Sequence, residues 1–145
     1  MFLNASTNSR PPIVVRNEKV ILASAERVWD LLADVERWPS WWRLCRWVKR
    51  ESAMSFTWKA HPVVLRSTVV ATDRPSAFAI TADGLGVHAE RAFTVSPSRD
   101  GRGTVVTSYE TQVGPLPWFG RLILAPRLHA ANAAMFEDLA RAATK

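Results

Sequence analysis

Cysteine is almost absent from this sequence, since Cys45 is the only one among 145 residues. A single cysteine cannot form a disulfide within the chain, and the paired cysteines of a zinc site are missing too. We therefore expect neither a disulfide framework nor a metal centre. The lone thiol is typical of a protein of the reducing cytoplasm, and we predict a cytoplasmic location.

Long hydrophobic runs are also missing. No stretch of about 18 apolar residues occurs, so we predict no transmembrane segment. Residues Met1–Ser9 do not show a basic region followed by an apolar run, and we expect no secretory signal there.

The familiar catalytic motifs are missing as well. The sequence contains no Ser-His-Asp motif, no H-E-x-x-H pattern and no glycine-rich phosphate loop. The three histidines, His61, His88 and His129, lack the spacing of metal ligands. We expect no cofactor, and an enzyme remains an open alternative, because shaping a substrate and moving its protons requires none of these motifs.

Acidic residues are fewer than basic ones, and the formal net charge is +6. The densest basic group, Arg43, Arg46, Lys49 and Arg50, lies next to Glu51, which favours a solvated surface. No helix-turn-helix, zinc finger or RNP-type motif accompanies it, so we predict no nucleic-acid partner. Peripheral contact with an anionic membrane is the minor alternative.

Apolar residues make up 48% of the chain, which is enough for the core of one domain. Residues 1–12 are polar, end in Pro11-Pro12 and predict a flexible tail. Residues 13–145 predict a single domain, as a monomer or a homodimer.

The domain begins with a β-branched strand over Ile13–Leu22, followed by Ser24 as the N-cap of a short helix. Asp34 is expected to cap a second short helix, which Pro39 breaks or opens. Six β-like runs follow, and Asp83-Gly84 is expected to form one of the turns between them. The six predicted strands cover Cys45–Glu51, Met54–Ala60, Val63–Thr72, Ala77–Ala82, Val87–Val95 and Thr104–Val113.

The rest of the chain, Trp118–Ala143, predicts one long helix that Pro126 kinks or splits. A step of 100° per residue places an apolar side opposite a charged side. The apolar side is expected to hold Leu122, Ala125, Leu128, Phe136, Leu139 and Ala140, together with His129 and Asn132.

Three stretches carry a resemblance to a known family. Ala23–Trp42 contains a D-x-x-x-W-P-x-W element after a short capped helix, Phe56–Lys59 is similar to a third strand, and Gly103–Thr107 to a G-T-x-V-T strand entry. In this order the chain resembles the START-like (SRPBCC) superfamily, and within it the polyketide cyclase/dehydrase branch, over residues 13–143.

The resemblance implies an α+β helix-grip fold. A seven-stranded antiparallel sheet would wrap around the long C-terminal helix, with two short helices after the first strand. The space between sheet and helix would hold an apolar small-molecule ligand. Because one fold serves many activities, the resemblance does not select the function.

Polar residues at interior positions are the candidate chemical groups. Arg91 shares a strand face with Phe93, which leaves two alternatives: an arginine that reaches water at a sheet edge, or an inward donor to a ligand oxygen. Alternation alone does not decide which face of Thr104–Val113 points inward. The family resemblance favours the face that carries Glu110, which would then pair with Arg91 or His129. Asn132 lies one helical turn after His129, and each is either a satisfied core residue or a polar anchor.

Aromatic residues supply the candidate cavity wall. Phe56 and Trp58 are in phase on one strand and are predicted, with Phe93, His129 and Asn132, to bind the ligand. Trp29, Trp38, Trp41 and Trp42 are interpreted as packing residues.

Three functions follow from these observations. The first is binding of a hydrophobic small molecule, lipid-like or polyketide-like, in a cavity between sheet and helix. The second is a polyketide aromatase/cyclase in which Arg91, Glu110 or His129 assists enolisation and dehydration. The third is an interaction module that presents a lipid to a partner.

Overall fold

A seven-stranded antiparallel sheet and three helices form the protein in a computed structural model that describes residues 11–145. The predicted flexible tail lies almost wholly outside the described residues. The elements are β1 (Ile13–Ile21), α1 (Ala25–Ala33), α2 (Trp38–Trp41), β2 (Cys45–Arg50), β3 (Ser55–Ala60), β4 (Val63–Asp73), β5 (Ala77–Gly84), β6 (Val87–Pro97), β7 (Thr104–Val113) and α3 (Pro115–Ala143).

The strands lie in the order β1-β7-β6-β5-β4-β3-β2, so β2 to β7 form a meander and β1 joins it beside β7. The segment from β1 to β2 crosses from one edge of the sheet to the other and contains α1 and α2. The long helix α3 packs against the sheet, which confirms the predicted helix-grip fold. No helix of the described part of the chain is long and apolar enough to cross a membrane.

The two short helices begin for local reasons. The Ser24 hydroxyl accepts a hydrogen bond from the Arg27 amide at 3.1 Å, so the predicted cap of α1 is confirmed. The expected cap by Asp34 is wrong, because its side chain makes no capping hydrogen bond to the single 3-10 turn Val35–Arg37. Pro39 lies in the first turn of α2, where its missing N–H removes no helical hydrogen bond.

The turn expected at Asp83-Gly84 lies two residues later. Both residues belong to β5, and the chain reverses at Leu85 and Gly86. The φ angles there are 48° and 71°, in the left-handed region that a two-residue hairpin of this kind requires. Gly86 adopts this backbone without cost, whereas Leu85 does so while 69% exposed.

Aromatic rings fill the core near α2. The ring of Trp38 meets those of Trp42, Phe56 and Trp58 edge-on at centroid distances of 5.2, 5.4 and 5.3 Å. Buried alongside them is the free thiol of Cys45, and burial raises its pKa to about 12. The interpretation of Trp38 as a packing residue agrees with these contacts.

Helix α3 is continuous through Pro126, so the predicted split does not occur. Its buried residues are concentrated in the second half, from Asn132 to Ala143. The expectation that Leu122 faces inward is wrong, since this side chain is 86% exposed. The inward stripe passes through Leu128, and six residues at 100° each place Leu122 about 120° away from it.

Candidate functional site

A cavity of about 150 Å³ lies between the sheet and the middle of α3. Its wall comes from β3 to β7, from the link between α2 and β2, and from one face of α3. Most of the lining is apolar. The apolar lining residues are Trp42, Leu44, Trp58, Ala60, Leu65, Ile80, Ala82, Val87, Ala89, Phe93, Leu128, Ala131 and Met135, and the polar ones are Arg91, Glu110, Gln112 and Asn132.

Arg91 enters this cavity from β6. Alternation along the strand turns Arg91 and Phe93 to the inner face, and only 9% of the arginine side chain is exposed. The predicted alternative in which Arg91 reaches water at an edge is therefore wrong. A reason is visible in the sheet order: β6 has β5 and β7 as neighbours and is not an edge strand.

The guanidinium of Arg91 makes one hydrogen bond and one longer contact with a carboxylate. Its Nη2 donates to Ser108 Oγ at 3.2 Å, and its Cζ lies 4.5 Å from the centre of the Phe93 ring. Its Nε lies 3.7 Å from Glu110 Oε1, too far for a hydrogen bond, and has no hydrogen-bond partner among the described residues. One donor of a buried cation is thus left without a partner.

Glu110 is opposite Arg91 in the β6–β7 register, and its side chain is also buried. Oε1 accepts a hydrogen bond from Asn132 Nδ2 and Oε2 accepts one from Gln112 Nε2, both at 2.9 Å. The predicted inward direction of the Glu110 face is therefore confirmed. Each carboxylate oxygen thus accepts one amide donor, whereas Nε of the arginine beside it has no partner in the described part of the chain.

Burial has a direct electrostatic effect on this pair. Loss of solvent lowers the pKa of Arg91 to about 10, and the negative charge of Glu110 partly opposes that shift. The guanidinium therefore remains charged at neutral pH. With Glu110 ionised, the pair has no net charge, so a neutral ligand oxygen fits better than a second carboxylate.

The predicted aromatic wall is present only in part. Trp58 and Phe93 line the cavity, and Trp58 Nε1 donates to Ser67 Oγ at 2.9 Å. Phe56 does not line it: its side chain is fully buried against Trp38 in the neighbouring aromatic core. The two residues share a strand face, but the cavity extends along only part of β3.

The expectation that His129 lines the cavity is wrong. Its side chain is exposed and is not part of the cavity wall, although its backbone carbonyl accepts a hydrogen bond from Asn17 Nδ2 at 3.1 Å. His129 follows Leu128 and is therefore rotated about 100° from the inward stripe. The expected pairing of Glu110 with His129 does not occur, and Asn132 takes that place.

Trp42, Ser108 and Gln112 belong to the site but are not among the predicted ligand-binding residues. Trp42 is interpreted from the pattern as packing only, yet it also lines the cavity. Ser108 and Gln112 lie on the same face as Glu110, and this period of two is the signal that could have identified them. Their partners depend on the β6–β7 register, which the sequence alone does not provide.

Comparison with known proteins agrees with this architecture. Residues 12–144 match the family model described as polyketide cyclase/dehydrase and lipid transport. A search of curated proteins finds no match.

Solved structures of low sequence identity share the fold. A Thermus thermophilus protein has a TM-score of 0.76 at 21% identity, over 90% of this chain and 97% of that one. A START superfamily protein of Mycobacterium smegmatis has a TM-score of 0.67 at 16% identity, over 89% of this chain and 92% of that one. XoxI of Bacillus cereus has a TM-score of 0.75 at 11% identity, over 92% of this chain and 96% of that one.

The site has the place and character that this fold provides: an apolar cavity between sheet and long helix, with a few convergent polar groups on its wall. The family match extends over nearly all of the described residues. This chain belongs to the polyketide cyclase/dehydrase and lipid transport family.

Proposed function

We propose that the protein binds a hydrophobic small molecule that carries one neutral oxygen acceptor, such as a ketone or hydroxyl group. The observation that supports this most strongly is Arg91, a buried cation on the wall of an apolar cavity whose hydrogen-bonding capacity is only partly used. A buried cation with too few hydrogen bonds is costly, and a ligand oxygen bound to the guanidinium would reduce that cost. Trp42, Trp58 and Phe93 provide flat surfaces for the apolar part of the ligand.

The size of the cavity limits what it holds in this conformation. A volume of about 150 Å³ is below the usual range of roughly 300–1,000 Å³ for ligand pockets, and suits one ring or a short chain. A longer lipid or polyketide chain would require α3 to move away from the sheet. The binding test therefore begins with a small ligand.

Acetophenone and α-methylstyrene form a matched pair of probes, because they differ mainly in C=O against C=CH₂. Isothermal titration should show tighter binding of acetophenone, by roughly tenfold or more for one hydrogen bond to a charged donor. The Arg91→Met/Glu110→Gln double variant removes both charges together, so no buried charge is left unpaired. In this variant we expect the preference for the ketone to disappear.

Arg74→Met/Asp30→Asn is the matched control, because it also removes an arginine–carboxylate pair, and neither residue lines the cavity. It should keep the preference for acetophenone. Equal affinity for the two probes in the natural sequence would make Arg91 a purely structural residue. Binding of neither probe to the folded protein would refute the proposal.

A second candidate function, enolisation of a bound ketone as in a cyclase or dehydratase, has one observation in its favour. Glu110 places a carboxylate beside Arg91, so a base and an oxyanion partner would flank the same ligand. NMR in D₂O would show faster exchange of the methyl protons of acetophenone with the protein present. Loss of that acceleration in Glu110→Gln would support catalysis; no acceleration would leave binding alone.

A further inference from the structure

The first three turns of α3 carry large apolar side chains that are in contact with solvent. Exposed fractions are 54% for Trp118, 86% for Phe119, 86% for Leu122 and 63% for Ile123. Leu116 is also exposed. We call these five residues the α3 apolar face. Contiguous apolar surface of this kind on a protein usually marks an interaction site.

The α3 apolar face occupies one side of the helix. At 100° per residue, it extends over an arc of about 160° from Trp118 to Leu116. The opposite side, with Pro117 and Leu124, is buried or half-buried. The helix is thus held to the protein by one side and presents the other to its surroundings.

Arginines border the face on both sides. Arg121 lies about 60° before Trp118 on the helical wheel, and Arg127 about 20° beyond Leu116. Both are exposed, and the Arg121 guanidinium lies 4.9 Å from the centre of the Trp118 ring. Residues 111–136 contain no aspartate or glutamate. Within α3, the face therefore combines an apolar centre with a cationic border.

We propose that the α3 apolar face docks onto the surface of an anionic lipid membrane. Aromatic and aliphatic side chains with arginines at their border match the boundary between acyl chains and anionic headgroups. Tryptophan in particular favours that interface. A net charge of +6 for the chain attracts the protein to such a surface.

A second copy of the chain is a poorer occupant. Pairing two α3 apolar faces would bring the Arg121 and Arg127 side chains of both copies to one interface. With no acidic residue between positions 111 and 136, nothing within this segment would compensate them. The charges that oppose self-association are the same ones that favour an anionic bilayer.

The position of the face relative to the cavity is also informative. Leu128 and Ala131, in the turns of α3 that follow the face, line the cavity. The hairpin tip with exposed Leu85 lies against Gly114, at the start of the helix. Docking would therefore place the cavity next to the bilayer, although the docking itself does not depend on the cavity ligand.

Flotation of the full chain with vesicles tests the proposal. The protein should float with vesicles of phosphatidylcholine and phosphatidylglycerol, far less with phosphatidylcholine alone, and less at high salt. Arg121→Glu/Arg127→Glu should weaken binding by roughly tenfold or more, since each basic residue contributes about fivefold. Arg99→Glu/Arg102→Glu gives the same change in net charge at the other end of β6 and β7 and should retain most of the binding.

A second pair of variants tests the apolar contribution. Phe119→Ser/Leu122→Ser replaces side chains that are 86% exposed and should fold normally but lose vesicle binding. Val20→Ser/Leu22→Ser removes exposed apolar side chains elsewhere and should bind like the natural sequence. Equal loss in both pairs, no binding to anionic vesicles, or a dimer that only Phe119→Ser/Leu122→Ser dissociates would overturn the proposal.

Discussion

At the scale of single residues, the position of Arg91 shows how a charge is kept inside an apolar wall. Its guanidinium lies over the Phe93 ring, donates to Ser108 and faces Glu110 at 3.7 Å. These contacts compensate part of the lost hydration, and the pKa of about 10 leaves the group charged at neutral pH. The hydrogen-bonding capacity that remains unused is what makes the residue a candidate for ligand recognition.

His88 provides a prediction at this scale. A hydrogen bond to Asp83, and then one to Glu90, raise the pKa of His88 above its usual value of 6.5, although partial burial opposes this. Because the folded-state pKa is raised, the stabilisation is complete below about pH 6.5 and is lost as the pH rises through the folded-state pKa.

His88→Gln should therefore lower the melting temperature more at about pH 5.5 than at about pH 8.5. Thermal unfolding of both proteins at the two pH values measures the difference. His61→Gln is the control, because His61 is exposed and forms no side-chain hydrogen bond among the described residues. A His88 effect that does not change with pH would contradict the expected role of the ion pairs.

At the scale of elements, the two halves of α3 are held differently. The second half is fixed by Asp138, whose side chain is 3% exposed. Its carboxylate accepts hydrogen bonds from the Arg43 amide, the Arg43 guanidinium and Arg141, at 3.0, 3.0 and 2.9 Å. Burial raises the pKa of Asp138, but these donors outweigh it and the pKa is lowered. The helix is thereby tied to the chain just after α2.

Asp138→Asn should reduce the free energy of unfolding by about 1–3 kcal/mol, because the buried acceptor of three hydrogen bonds loses its charge. Urea unfolding measures this loss. Glu137→Gln is the neighbouring control: Glu137 is 62% exposed and pairs with Lys19 on the surface, so its replacement should cost less than about 1 kcal/mol. Equal costs for the two variants would show that Asp138 does not anchor α3.

The contrast between strands and helix explains what the sequence could predict. In β6 and β7 side chains alternate strictly, so the inward direction of Glu110 followed from parity together with the family resemblance. On α3, periodicity gave the angular positions of the side chains around the helix axis. It did not show which of those positions face the interior of the protein. The helix begins with many apolar residues, Leu122 among them. They shifted the predicted inward side of the helix, and His129 was therefore wrongly placed on that side.

At the scale of the whole molecule, the two proposed functional surfaces lie on different sides of one helix. The cavity faces the Leu128 and Asn132 side of α3, whereas the apolar face lies on the opposite side of its first half. The two surfaces share a helix but no side chains. We therefore expect a substitution in one surface to leave the other intact.

Acetophenone at a hundredfold excess over its Kd should raise the free energy of unfolding by about 2.7 kcal/mol. This increase should be unchanged in Arg121→Glu/Arg127→Glu, and vesicle binding should be unchanged in Arg91→Met/Glu110→Gln. Thermal unfolding and flotation of both variants provide the comparison. Loss of both properties in either variant would mean that the two surfaces do not act independently.

The burial of Cys45 has a consequence for chemical reactivity. Alkylating reagents react with the thiolate form of cysteine. A thiol with a pKa of about 12 that is 3% exposed provides almost no accessible thiolate. Since the chain has no other cysteine, any label it acquires records an opening of the core around Trp42 and β2. The rate of labelling of the untagged natural sequence thus measures how often that region opens, without any introduced probe.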